Sequence, residues 1–352
     1  MRHLLSNSGS TFILLAAILA GSVVGHFSPT SADSLGGYVN PLVLALVSLL
    51  FFEISFEKLS SARGHLRFLS IAWITNFIVI PLIAWGIASL FLSGKPAIYV
   101  GVLIYLIAPC TDWFLGFTRL AKGNVALGSV LIPINLISQL ILFPAYLALF
   151  AGGSSTIDTS GLASSLWQWF LVPFLSGILL HQILRRALPR ETFSKVLTLA
   201  NALVPFVIGS LVACIFAGNI ATILTNASTL PVILLAVFVF FVVTYLFGEL
   251  LSYRFQLAYP ERVLLTMTSS ARNAPLMLGL ATTAFPNQPL IYAALVIGML
   301  IEFPHLAALK HMLLRQRTLK VPHTESSTSV SKPSEEAVYH PVLNQPLDKD
   351  LG

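Results

Sequence analysis

Charged residues are scarce in this sequence, and cysteines are scarcer still. Only 10% of the 352 residues are Asp, Glu, Lys or Arg, whereas an ordinary soluble domain carries about 25%. So few charges cannot cover the surface of a soluble protein of this length, which excludes a cytosolic enzyme, a nucleic-acid-binding module and a disordered scaffold. The two cysteines, Cys110 and Cys214, both lie in apolar stretches, which excludes a disulfide framework.

Long apolar stretches are what the sequence does contain. Hydrophobic residues make up 56% of the chain and the mean hydropathy is +0.85. A helix that crosses a bilayer needs about 20 mostly apolar residues. The stretches that meet this length lie at roughly 11–27, 38–56, 67–92, 97–118, 125–150, 162–184, 193–217, 229–253, 262–284 and 289–313. The sequence therefore predicts an all-α polytopic membrane protein with ten transmembrane helices.

The basic residues indicate how these helices are oriented. If ten helices are threaded through the membrane, 18 of the 20 Lys and Arg residues fall on one side, Lys95 falls on the other, and Arg272 lies within a helix. Cytoplasmic loops carry this excess of positive charge. We expect a multi-pass protein of the plasma (inner) membrane with both termini in the cytoplasm.

The two halves of the chain resemble each other. The 35-residue segments 110–144 and 270–304 both end in Phe-Pro, at an offset of 160 residues. With five helices in each half, the second half enters the membrane inverted, as in many secondary transporters. The predicted parts are a first five-helix repeat at 1–150, an extracytoplasmic linker at 151–161, a second, inverted repeat at 162–320 and a disordered cytoplasmic tail at 321–352.

Helices 4 and 9 each contain a charged residue beside a proline. Asp112 follows Pro109, and Arg272 precedes Pro275, at equivalent positions of the repeat. Because proline disrupts helical hydrogen bonding, we expect both helices to be broken and to cross near the membrane midplane. Asp112 and Arg272 would face each other there, either as a structural ion pair or as part of a substrate site.

Two further residues have chemistry that suits a carrier. Cys110 lies in the polar break of helix 4, and a thiol in such a place suits a thiophilic ligand. Glu302 lies near the middle of helix 10 without a cation nearby in the sequence, where a buried carboxylate either binds a proton or accepts a hydrogen bond from loosened backbone. Glu53 and Glu249 lie near helix ends, where either snorkelling or pairing near the interface is expected. Asn135 and Gln139 either face the cavity or bond between helices.

Three motifs resemble the bile acid/sodium symporter superfamily, and its arsenical-resistance branch in particular. They are Ala-Pro-Cys110-Thr-Asp112-Trp, Arg272-Asn273-Ala-Pro and Ile-Glu302-Phe-Pro, and the resemblance covers residues 10–315. Members of that branch export arsenite, and some export antimonite, in exchange for protons. The resemblance implies that Cys110 and Glu302 are needed for export. Arg272 argues against the sodium coupling of the bile acid branch, and Asp112 departs from the mostly apolar residues of the best-known exporters.

The first hypothesis is thus a proton-driven arsenite exporter, not an enzyme, without a cofactor or a catalytic residue. Its substrate site would comprise Cys110, Thr111, Asp112, Arg272 and Asn273, with arsenite at the thiol and the coupled proton on Glu302. Its partners are a small inorganic or anionic substrate, protons and the lipid bilayer. The alternative is an ion-coupled transporter of a small organic anion that binds Arg272. A membrane receptor that uses the same pocket is a third hypothesis.

Overall fold

The computed structural model describes residues 4–53, 64–111, 113–151 and 162–319. Within these residues all regular structure is helical, apart from an isolated antiparallel bridge between Pro109 and Arg272. Helices are expected, because in lipid each backbone N–H and C=O must find its partner within the segment. The all-α prediction is confirmed for this part of the chain.

The helices follow the apolar stretches of the sequence closely. In chain order they are α1 (Leu4–Phe27), α2 (Pro29–Gly36), α3 (Val39–Phe52), α4 (Leu66–Ile74), α5 (Ile80–Leu92), α6 (Pro96–Ile107), α7 (Trp113–Leu120), α8 (Val125–Ala151), α9 (Leu162–Ala187), α10 (Arg190–Thr225), α11 (Leu230–Arg254), α12 (Tyr259–Ser270), α13 (Ala274–Ala284) and α14 (Pro289–Leu319). A π-helical turn at Thr75–Val79 joins α4 to α5, and a 3₁₀ turn at Ala227–Thr229 precedes α11.

Six helical stretches in the described residues are long and apolar enough to cross a membrane, as expected of a multi-pass membrane protein. They are Thr30–Phe52, Leu66–Leu92, Val125–Phe150, Arg190–Thr225, Ala227–Arg254 and Pro289–Arg317. Shorter apolar helices accompany them at Phe12–Phe27, Pro96–Ile107 and Ala274–Ala284. The count of ten crossings, their orientation and the inverted repeat stay predictions, and most of the linker and the whole tail lie outside the described residues.

Large apolar side chains point outward from several of these helices. Leu90 on α5 is 76% exposed, Leu149 on α8 is 74% exposed and Phe206 on α10 is 62% exposed. Soluble monomers rarely leave large apolar patches uncovered. The outer surface is therefore suited to contact lipid.

Some helix pairs approach so closely that only glycine fits between them. A Cβ added at Gly21 of α1 would lie 2.3 Å from the carbonyl oxygen of Ala213 on α10. One added at Gly298 of α14 would lie 2.6 Å from the ring of Tyr105 on α6. Small residues permit such contacts between membrane helices, and the second contact bears directly on the candidate site.

The interior consists of two apolar clusters that meet at the helix breaks. The first apolar cluster includes Ala108 and Ala274 together with most of α6, α13 and the first half of α14. The second apolar cluster includes Cys110 and Ala271 together with parts of α7, α12 and the second half of α14. Arg272 lies between them and is fully buried. The breaks therefore put polar groups on the boundary between two apolar regions.

Candidate functional site

Both predicted helix breaks are present, one between α6 and α7 and one between α12 and α13. Ala108 has extended backbone (φ −97°, ψ 111°), because the ring of Pro109 disfavours a helical conformation in the residue before it. Ala271 is extended as well (φ −77°, ψ 139°). Pro275 lies at the start of α13, where the lack of an N–H does not disturb the helix.

The two extended segments pair with each other. The N–H of Cys110 donates to the carbonyl oxygen of Ala271 at 3.1 Å. The N–H of Asn273 donates to the carbonyl oxygen of Ala108 at 3.0 Å. Pro109, at the centre of the bridge, needs no acceptor because it has no N–H. The prediction that the two breaks come together is confirmed, and we call this paired region, residues 108–111 and 271–273, the junction.

The side chain of Arg272 holds the ends of both broken helices. Its guanidinium donates to the carbonyl oxygen of Leu106 at 2.9 Å, near the end of α6. It also donates to the backbone carbonyl oxygens of Ser269, at 2.6 Å, and of Thr268, at 3.3 Å, near the end of α12. The last carbonyls of a helix lack intrahelical donors and carry partial negative charge. A cation at this point stabilises two helix ends at once, and the ring of Phe240 lies 5.5 Å away.

Glu302 reaches the junction from α14. Its Oε1 accepts the backbone N–H of Arg272 at 2.9 Å. Its Oε2 lies 3.2 Å from the hydroxyl oxygen of Tyr105. The same hydroxyl oxygen lies 3.0 Å from the carbonyl oxygen of Gly298. Glu302 is only 3% exposed. The sequence suggests no cation near Glu302, but the fold brings Arg272 next to it, because helix breaks distant in sequence meet here.

The remaining predicted substrate residues lie on the α6–α7 side of the junction. Cys110 is fully buried in the second apolar cluster. The side-chain amide of Asn273 donates to the hydroxyl of Thr111 at 3.1 Å, which links the two breaks through side chains. Asp112 lies outside the described residues. Its expected pairing with Arg272 stays a prediction.

A group of buried amides lies behind the junction, and of its members Asn76 is the one that the sequence did not single out. The amides of Asn76 and Asn135 both donate to the hydroxyl of Thr268, at 3.1 and 3.2 Å. Asn135 therefore bonds between helices, one of the two roles considered for it. Gln139 is 3% exposed, and neither polar atom of its amide has a hydrogen-bond partner among the described residues.

Sequence signals for the missed residues differ in strength. Asn76 is a polar residue within a long apolar stretch and lies close to Pro81, so its intramembrane position could have identified it. Tyr105 lies in the run Val-Gly-Val-Leu-Ile-Tyr-Leu-Ile. A tyrosine there looks like any other aromatic residue of an apolar helix, so only the fold reveals its contact with Glu302.

A narrow apolar cleft opens beside the junction. It is lined by Leu14, Trp113, Pro205, Ile208, Met299 and Phe303. The rings of Trp113 and Phe303 meet edge to face, with their centres 5.1 Å apart. The cleft lies between α1 and α10 on one side and α7 and α14 on the other. One of its lining residues, Trp113, is the first residue of α7.

A second polar cluster lies where α11, α12 and α14 come together, away from the junction. Arg262 forms an ion pair with Glu249 and contacts both carboxylate oxygens. Gln316 accepts from Arg262 and donates to the hydroxyl of Tyr245 at 3.0 Å. The expected pairing of Glu249 is confirmed, and this cluster ties the ends of three helices together.

Comparison with known proteins finds relatives that match most of the chain. The uncharacterized protein YbaS of Bacillus subtilis is 29% identical over 76% of this chain and 85% of its own length. The arsenical-resistance protein Acr3 of Corynebacterium glutamicum is 22% identical over 84% of each chain. Acr3 of Alkaliphilus metalliredigens is 23% identical over 87% of this chain and 92% of its own. Residues 39–226 match the family model of the sodium bile acid symporters, so the chain belongs to the Sodium Bile acid symporter family.

Proposed function

We propose that this membrane transporter exports arsenite, and antimonite by the same chemistry, in exchange for protons. The observation that supports it is the short path between a thiol and a carboxylate at the junction. The backbone N–H of Cys110 donates to the carbonyl oxygen of Ala271. The backbone N–H of the next residue, Arg272, donates to the carboxylate of Glu302. Substrate binding and proton binding at such close positions can influence each other. The similarity to two arsenical-resistance proteins over most of the chain supports the choice of substrate.

The substrate chemistry requires a soft ligand that also releases its cargo. Arsenite is As(OH)₃ at neutral pH, and the thiol of Cys110 would replace one hydroxide to form a single As–S bond, with loss of water. Thr111, Asp112 and Asn273 would hold the remaining hydroxyls, and Arg272 would hold the helix ends that position them. One thiolate is a weaker site than the several that bind metals tightly, which suits a carrier.

Glu302 would carry the coupled proton. It is buried beside the junction, where a carboxylate is seldom kept without a function. Binding of the proton from one side of the membrane and its release to the other side would drive the conformational cycle. The excess of basic residues on one side supports a plasma-membrane location with both termini in the cytoplasm, and the spacing of the two breaks supports two inverted repeats of five helices.

Everted membrane vesicles test the proposal directly. An arsenite exporter should accumulate arsenite in such vesicles when a proton gradient is imposed, and should not respond to a sodium gradient. Cys110→Ser should abolish accumulation at matched expression. Accumulation that follows sodium and ignores the proton gradient would contradict the proposal.

An importer of a small organic anion is the second candidate. The apolar and aromatic lining of the cleft is its one support, since such side chains suit a hydrophobic body, although the cleft would have to widen to admit one. The guanidinium of Arg272 weighs against it, because its Nη1 and Nη2 already donate to the carbonyls of Leu106, Ser269 and Thr268, and its buried Nε is the guanidinium atom left without a partner among the described residues. If this candidate is correct, Cys110→Ser should leave uptake of the anion almost unchanged, while charge reversal at Arg272 should abolish it.

A further inference from the structure

The hydroxyl of Tyr105 has one hydrogen and two acceptors within reach. Glu302 Oε2 lies 3.2 Å from it, and the carbonyl oxygen of Gly298 lies 3.0 Å from it. A hydroxyl donates once and accepts through its lone pairs. Tyr105 can therefore donate to only one of these two oxygens at a time.

The two choices correspond to two charge states of Glu302. When Glu302 is ionised, the hydroxyl of Tyr105 donates to Oε2. When Oε2 carries a proton, that proton is donated to the oxygen of Tyr105, and the tyrosine hydrogen turns to the carbonyl of Gly298. Tyr105 stays hydrogen-bonded in both states, and the carbonyl of Gly298 has the lone pairs to accept in addition to a helical bond.

Packing holds the ring in the position that this exchange requires. Tyr105 is fully buried. Its ring lies directly against Gly298, since a Cβ there would be 2.6, 2.7 and 2.9 Å from three ring carbons. Any residue with a side chain at position 298 would push the ring away from Glu302, so the glycine and the tyrosine form one arrangement.

The described residues also place other charged or titratable groups near Glu302 and Tyr105, and the cation of Arg272 interacts electrostatically with Glu302. Arg272 holds Oε1 through its backbone N–H. Cys110 and Arg272 both lie close enough to interact electrostatically with Tyr105. His305 lies one turn further along α14 and stacks on Phe241. Asp112, in the α6–α7 break, lies outside the described residues.

From these contacts we infer that Tyr105 is a positioning residue for proton exchange on Glu302, acting through reversal of the Tyr105–Glu302 hydrogen bond. The inference rests on the proposed role of Glu302 as the proton carrier. It names the atom that is protonated, Oε2, and the group that stabilises both charge states.

Infrared difference spectroscopy of the purified full-length protein tests this without any transport substrate. The protonated carboxyl band of Glu302 is identified by its loss in Glu302→Gln, and its pH midpoint is then measured in Tyr105→Phe. The ionised carboxylate loses a charge-assisted bond, which is stronger than the neutral bond lost by the protonated form. The midpoint should therefore move upward by about one pH unit.

Two further variants complete the test. Tyr99→Phe is the matched control, because Tyr99 is on the same helix and its hydroxyl donates at 2.8 Å to the carbonyl of Phe150; its midpoint should stay at the wild-type value. Gly298→Ala keeps the hydroxyl but displaces the ring, and should shift the midpoint in the same direction as Tyr105→Phe.

The possible results separate the inference from the proposed function. A wild-type midpoint in both Tyr105→Phe and Gly298→Ala would overturn the role of Tyr105 and leave Glu302 as the carrier. The absence of any titrating carboxyl band that Glu302→Gln removes would overturn the carrier role, and the inference with it.

Discussion

Two contacts between an arginine and a glutamate in the described part of the chain are made by different atoms. Away from the junction, the guanidinium of Arg262 contacts both carboxylate oxygens of Glu249, and the two side chains are 13% and 24% exposed. At the junction, Arg272 approaches Glu302 through its backbone N–H, and its guanidinium donates to backbone carbonyls of two helices. The outer arginine neutralises a carboxylate, while the inner one holds helix ends.

The two carboxylates therefore differ in the groups that they contact. The guanidinium of Arg262 contacts both carboxylate oxygens of Glu249, a geometry that fixes the two side chains relative to each other, so Glu249 is suited to a structural role. Glu302 meets a neutral backbone donor at Oε1 and a hydroxyl at Oε2, and the hydroxyl can also accept. The proposal that Glu302 carries the proton depends on this hydroxyl and not on an absence of charge, because the cation of Arg272 also interacts electrostatically with Glu302.

Replacing the two arginines should give the largest contrast. Arg272→Met leaves the carbonyls of Leu106, Thr268 and Ser269 without their buried donor, and should lower the free energy of unfolding by more than about 3 kcal/mol. Arg262→Met should cost about 1 kcal/mol. Thermal unfolding in detergent measures both variants, and equal losses would show that the inner guanidinium has no special structural role.

Replacing the two cysteines tests whether the inner site binds the substrate. Cys110→Ser should abolish arsenite resistance, because serine offers no soft ligand. Cys214→Ser should leave resistance largely intact, since Cys214 lies within the helix α10 and is not part of either helix break. Growth on arsenite at matched expression measures the effect, and equal loss in both variants would contradict the assignment of Cys110.

Replacing the two glutamates sharpens the comparison of charge states. Glu302→Gln imitates a permanently protonated carboxyl, and should abolish accumulation driven by a pH gradient while downhill arsenite exchange continues. Glu249→Gln should keep both activities. Vesicle flux with and without the gradient measures the difference. If Glu302→Gln pumps normally while Asp112→Asn does not, the proton belongs to Asp112 and its surroundings.

A single methyl group added beside the junction, at Gly298, should have a smaller effect on stability. Gly298→Ala forces its Cβ into the ring of Tyr105, and overpacking of this kind costs about 1–3 kcal/mol. Gly116→Ala on α7 is the control, because a Cβ there meets no atom of the described residues within 4 Å. Its stability should be unchanged or slightly raised. Similar melting temperatures for the two variants would mean that the ring of Tyr105 moves freely.

The outer pair should show the smallest effect and the only clear salt dependence. A double-mutant cycle of Arg262→Met and Glu249→Gln should give a coupling energy of about 1 kcal/mol. That energy should fall at high salt, because partly exposed charges are screened. A coupling as large as the loss in Arg272→Met, with no response to salt, would remove the distinction between the two sites.

The helices and their breaks could be read from local patterns in the sequence. The apolar stretches at 125–150 and 229–253 became α8 and α11 with bounds that differ by one residue. This agreement follows from lipid, where a stretch must satisfy its own backbone and therefore forms a helix. Pro109 acts on its immediate neighbour Ala108, so the break in helix 4 was also predictable. The offset between the repeats further suggested that the two breaks would meet.

The sequence by itself determined the fold class, the helix breaks and the buried charges that mark the junction, because each depends on residues adjacent along the chain. Only the tertiary structure decided the partners of those charges. Tyr105 and Glu302 are 197 residues apart, and Leu106 and Arg272 are 166 apart. Apolar helices offer many similar packing faces, so the sequence does not specify which carbonyl or hydroxyl will lie within hydrogen-bonding distance. That choice depends on close packing, such as the contact between Gly298 and the ring of Tyr105.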